Sequence, residues 1–155
     1  MPIAYEALRN NINFNEISNL VTSYNLAVGR KKASDQDTMN HVVIENEYSG
    51  SKVAVPVESL DVIICSIEIS ENPFMIKIDV KGFETDVIAG MEKILANQDL
   101  NVIIIKLSDC GAAYGFDDND INNRLTESGF YLVEYDGINR IIRPIKFELN
   151  KDNAI

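Results

Sequence analysis

The stretch that most constrains the fold runs from Pro73 to Leu95: Pro-Phe-Met-Ile-Lys-Ile-Asp-Val-Lys-Gly-Phe-Glu-Thr-Asp-Val-Ile-Ala-Gly-Met-Glu-Lys-Ile-Leu. Phe74 to Val80 is a short apolar run interrupted only by Lys77 and Asp79, as expected of a buried strand. The chain then turns at Gly82 and changes period. Val87, Ile88, Met91, Ile94 and Leu95 recur at the spacing of one helix face. A strand, a glycine turn and an amphipathic helix predict half of a βαβ unit, and so an α/β fold with a mostly parallel sheet. Asp79, near the strand's carboxyl end, then falls at the crevice where such sheets bind ligands. A charge on an apolar strand needs a reason. Asp79 either serves a site, or caps the following helix, or pairs with Lys77 or Lys106. Glu84 falls in the first helical turn, where a carboxylate complements the exposed N–H groups.

The chain's 155 residues fit a single domain over residues 1–155, with 46% hydrophobic and 25% charged residues. A net charge of −10 carries no electrostatic footprint for nucleic acid or an anionic membrane, so neither is expected as a partner. No apolar run is long enough to span a bilayer. The two cysteines, Cys65 and Cys110, make no disulfide scaffold and suit a reduced, cytoplasmic setting.

Ala4 to Asn19 opens as a helix on Ala4, Ala7, Leu8 and Ile12, with Pro2 suited to its first turn, and dissolves into asparagines. Leu20 to Val28 reads as a strand ending at Gly29. His41 to Glu47 and Lys52 to Val57 read as a hairpin about Gly50, followed by a short helix through about Ser66. Leu100 to Leu107 is a second apolar strand. Ile121 to Ser128 reads as a helix stopped by Gly129, with Asp120 as its N-cap. Phe130 to Tyr135 and Ile138 to Ile142, split by Asp136-Gly137, predict a closing hairpin. Cys110 and His41 are the only pair that could serve as a thiol nucleophile and its base, and with no local signature joining them a buried or bystander thiol explains them better. Asp117 to Asp120 lacks the ligand spacing of a calcium loop, so no metal is expected.

Lys77-Ile78-Asp79-Val80-Lys81-Gly82-Phe83-Glu84 resembles the signature strand and turn of the FkbM-type S-adenosylmethionine-dependent methyltransferases. That family usually shows Lys-Ile-Asp-Val-Glu-Gly-x-Glu, then an apolar helix with a glycine such as Gly90. Lys81 stands where the family usually carries glutamate, and Lys106 does the same near the end of the next strand. Pro2 to Ile12 resembles the helix after the family's second strand, and Leu26-Ala27-Val28-Gly29 its third strand and turn. Val55 to Asp61 resembles its lead-in to a short helix.

The resemblance implies a Rossmann-like methyltransferase sheet missing its first two strands, with an antiparallel hairpin at the C-terminal end. The family's glycine-rich turn, Asp-x-Gly-Ala-x-x-Gly in outline, is not found in this sequence; it lies upstream of Met1 or was never there. The implied chemistry is methyl transfer from S-adenosylmethionine to an oxygen of a small metabolite, sugar or polyketide-type acceptor. The resemblance implies catalytic positions at Asp79 and Glu84 in the central turn and at Lys77 on its strand, with Asp79 binding the acceptor hydroxyl or taking its proton. It places Ala27 and Val28 beside the adenine. Lys81 and Lys106 argue against an intact acceptor site, and lysines near Asp79 would lower its pKa. A sheet without two strands also has an exposed edge. The expected outcomes are rearranged pairing of Leu20–Val28 with the central strand, a homo-oligomer, or completion by another chain. The competing reading is a non-catalytic remnant or assembly subunit that keeps the scaffold.

Overall fold

A computed structural model of the chain describes residues 2–30, 41–45, 52–67, 73–107, 111–112 and 115–145. Helix α1 spans Pro2–Phe14, and the short strand β1 covers Ala27–Val28. Strands β2 (His41–Glu45) and β3 (Lys52–Glu58) follow, then helix α2 (Leu60–Cys65) and strand β4 (Phe74–Ile78). Helices α3 (Glu84–Ala89) and α4 (Glu92–Leu95) precede strand β5 (Leu100–Ile105). Helix α5 (Asp118–Glu127) and strands β6 (Val133–Asp136) and β7 (Ile141–Pro144) complete the described chain. The architecture is mixed α/β, with two short parallel pairings and a terminal antiparallel hairpin.

The described strands form three small sheets. β3 lies between β1 and β2, parallel to β1 and antiparallel to β2. β4 and β5 run parallel, with Lys77 opposite Ile104 and Ile78 opposite Ile105. One residue slips between Phe74 and Met75, because Asn101 is an extra residue in the β5 ladder. β6 and β7 pair antiparallel.

The core gathers on one face of the β4–β5 pair. Ile78 and Leu100 pack there with Val87, Ile88, Met91, Ile94 and Leu95 from the helical segment and Ile121 from α5. All five apolar positions of the expected helix face are thus buried. The helix itself, however, is two helices broken at Gly90 and Met91. Two contacts explain the break. A Cβ at Gly90 would stand 2.9 Å from the Gly29 carbonyl oxygen, so the backbones meet where only glycine fits. The Asp61 carboxylate then accepts from Lys93 N and Ile94 N, each at 3.0 Å, and starts α4 afresh. The Asp61 amide donates to the Gly90 carbonyl at 3.1 Å and locks α2 to the same joint.

Other expectations shift by local chemistry. The strand expected over Leu20–Val28 shrinks to Ala27–Val28, since residues 20–26 form turns and irregular chain. Among the described residues β1 adds to β3 and β4 pairs with β5 alone, so the expected pairing of Leu20–Val28 with the central strand is not what forms there. The hairpin pairs as expected from His41 opposite Pro56 to Glu45 opposite Lys52, while its turn about Gly50 lies outside the described residues. Helix α5 starts before Asp120: Asp117 is the cap, its Oδ1 accepting from Asn119 N at 2.9 Å. The closing turn is longer than Asp136-Gly137. Asp136 pairs with Ile141, and its carboxylate accepts from the amides of Ile138 and Asn139, each at 3.0 Å. Those bonds, with the Asn139 side chain foremost, hold the Asp136 carboxyl below the usual range.

Candidate functional site

The carboxyl end of β4 carries the charged residues of the sequence motif. Asp79 follows the last strand residue, Ile78, and is exposed. Lys77 Nζ donates to Asp79 Oδ2 at 3.2 Å, and Lys106 Nζ lies 3.8 Å from Oδ1. Strand alternation explains the cluster. Lys77 and Asp79 sit on the same face of β4, and the parallel register brings Lys106 from the end of β5 beside them. The Lys77 hydrogen bond, aided by the charges of Lys106 and Lys77, holds the Asp79 carboxyl below its ordinary pKa. Of the alternatives open for Asp79, pairing with Lys77 and with Lys106 is realised, and both pairs sit in solvent.

Past Asp79 the chain reverses through Gly82, whose φ of 82° lies in the left-handed region that glycine favours. Glu84 then enters α3 as a first-turn acidic residue, with only 2% of its surface exposed. Its Oε1 is buried and accepts no hydrogen bond among the described residues. The sequence placed Glu84 in the first helical turn but gave no sign of its burial. Phe83, beside it, meets Phe116 edge-on with ring centroids 6.3 Å apart.

Ala27 and Val28 are half-buried at the end of β1, opposite Val57 and Glu58. Val28 packs against the core that contains Ile78. Beyond them the Arg30 amide donates to Asp86 Oδ2 at 2.9 Å, and the Arg30 guanidinium lies 3.7 Å from Oδ1. Asp86 thereby fastens the end of β1 to α3. Sequence reading missed both Asp86 and Asp61. Each is an ordinary first-turn acidic residue, and only tertiary structure reveals its distant backbone partners.

A groove of about 340 Å³ between α4 and α5 is lined by Glu92, Leu95, Ala96, Arg124 and Ser128 and includes none of the motif residues. The Arg124–Glu92 ion pair of 2.9 Å spans it. No group of three or more metal-ligating side chains occurs among the described residues. Cys110, the thiol considered with His41, lies outside the described residues.

A family model described as the methyltransferase FkbM domain matches residues 2–132. The chain belongs to the FkbM methyltransferase domain family. Comparison with curated proteins and with solved structures yields no match. The FkbM match runs from α1 to the residue before β6, so the β4 turn, Glu84 and the β1 end all fall inside it. No helix among the described residues of this FkbM domain is long and apolar enough to cross a membrane.

Proposed function

We propose that this FkbM domain takes part in methyl transfer from S-adenosylmethionine to an oxygen of a small metabolite, sugar or polyketide-type acceptor. The chain supplies one wall of the crevice. The observation that carries the reading is Glu84: a carboxylate buried to 2% exposure with an oxygen that finds no donor among the described residues. Such an oxygen suits a ligand that brings N–H or O–H groups, and S-adenosylmethionine carries an ammonium group and ribose hydroxyls. Ala27 and Val28 offer a half-buried apolar surface suited to an adenine ring. When bound, the cofactor supplies an electrophilic methyl group on a sulfonium.

The residues of the β4 end then divide the work. Asp79, kept ionised by Lys77 and Lys106, accepts a hydrogen bond from the acceptor hydroxyl and orients its oxygen. A carboxylate with a lowered pKa is a weak proton acceptor, so Asp79 acts more by orientation than by basicity. Lys77 holds the carboxylate in place.

A second reading keeps the scaffold without catalysis. The observation favouring it is the same pair of lysines, which engage Asp79 and weaken it as a base. Calorimetry with S-adenosylmethionine separates the two. Micromolar binding that Glu84→Gln abolishes supports the methyltransferase reading. No heat at millimolar cofactor overturns independent catalysis by this chain. In the binding case, Asp79→Asn lowers kcat by about 10²-fold and leaves cofactor affinity unchanged.

A further inference from the structure

The β4–β5 pair has one covered face and one bare face. Met75 is 59% exposed, Val102 45% and Ile104 47%, all on the face away from the helices. Sheets of parallel strands are ordinarily covered on both faces. β4 also has a bare edge, since among the described residues it pairs with β5 alone.

The hydrogen bonds show which groups line that edge. Phe74 N donates to Asp99 O at 2.9 Å, and Lys106 N donates to Ile78 O at 3.0 Å. The even-numbered residues of β4 therefore turn their backbone groups toward β5. By alternation, the N–H and C=O of Met75 and Lys77 point the other way, and those of Asp79 continue the row. A lone lysine on such an edge ordinarily discourages pairing. Here an aspartate two residues later, on the same face, turns that obstacle into a match.

We infer that residues 76–80, the end of β4 and the two residues that follow it, are the interface of a homodimer, pairing antiparallel with the same residues of a second copy about a two-fold axis through Ile78. Only that register sets each Lys77 opposite the other copy's Asp79. Both residues are then of the kind that exchange two ladder hydrogen bonds with the residue opposite. An axis at Lys77 would instead oppose lysine to lysine, and one at Ile76 would oppose lysine to methionine. The two-fold operation uses one self-complementary patch on both copies. The net charge of −10 opposes association, but at physiological salt it is screened over about 8 Å. Contact charges decide the register. In the dimer each Asp79 also receives a lysine from the partner, so the two candidate crevices adjoin.

The test is sedimentation equilibrium on the wild-type chain and on two charge variants. Lys77→Glu opposes two acidic residues at each contact, and Asp79→Lys opposes two lysines. Each variant alone sediments as a monomer, with self-association weakened at least tenfold. An equimolar mixture of the two restores both opposite-charge contacts and sediments as a heterodimer. Lys77→Pro removes an outward N–H without touching the β5 ladder, and it too is monomeric with an unchanged far-UV spectrum. A wild-type chain monomeric at millimolar concentration overturns the inference. So does a dimer that survives Lys77→Pro, which would use another edge, or a mixture that stays monomeric. Should Lys77→Pro fail to fold, the mixing experiment decides alone.

Discussion

Asp79 and Glu84 stand five residues apart and face opposite physical problems. Asp79 is bathed in water and paired twice, so its charge is favoured. Its lowered pKa means that the folded chain holds this carboxylate ionised more firmly than the unfolded chain does. The resulting stabilisation is present above the ordinary aspartate pKa and disappears as pH falls through the lowered one. Lys77→Met removes the largest cause, and the Asp79 carboxyl titration moves back up toward its ordinary value, read by ¹³C NMR. Glu84 is the reverse case: a buried oxygen without a donor lowers the stability of the chain that holds it. Glu84→Met therefore raises the unfolding free energy of the free chain by about 1–3 kcal/mol in urea titrations, while removing any gain from cofactor. The position of both carboxylates was legible in Lys-Ile-Asp-Val-Lys-Gly-Phe-Glu. Pairing of Asp79 with Lys77 and Lys106 was among the alternatives its sequence left open, and both pairs form. The burial of Glu84 was not legible, because burial is set by tertiary packing.

At the level of elements, apolar periodicity was the reliable guide and element boundaries were not. The face of Val87, Ile88, Met91, Ile94 and Leu95 is buried as its spacing foretold. The break at Gly90 escaped notice because its causes, the Gly29 carbonyl and the Asp61 carboxylate, come from distant chain. Gly90→Ala forces a methyl group against backbone and costs about 1–3 kcal/mol of stability, measured by chemical denaturation. Asp61→Ala leaves the first amides of α4 without an acceptor and costs about 1 kcal/mol by the same measurement. The strand expected over Leu20–Val28 is a related miss. Its apolar residues are partly exposed, and only Ala27 and Val28 find a neighbour in β3.

Across the whole molecule, the buried apolar residues among those described gather mainly in one small core. Ile88 and Met91 are its most enclosed residues. Ile88→Ala costs about 2–5 kcal/mol and leaves the chain marginal. The β6–β7 hairpin contrasts with this: Val133, Tyr135, Ile141 and Ile142 are all exposed. Its amides exchange with solvent well before those of α3 and β5 in native-state hydrogen exchange. The antiparallel hairpin and the parallel pair were both readable from turn residues and apolar runs. How the described strands divide into three sheets was not, since pairing between distant strands leaves no mark in local sequence.

Helix α4 has four residues, fewer than one and a quarter turns, and so short a segment cannot nucleate by itself. It owes its existence to a carboxylate borne by α2, more than thirty positions earlier in the chain. The two segments therefore melt and reform together. A cut or insertion anywhere between them that frees Asp61 unwinds a helix it never touches.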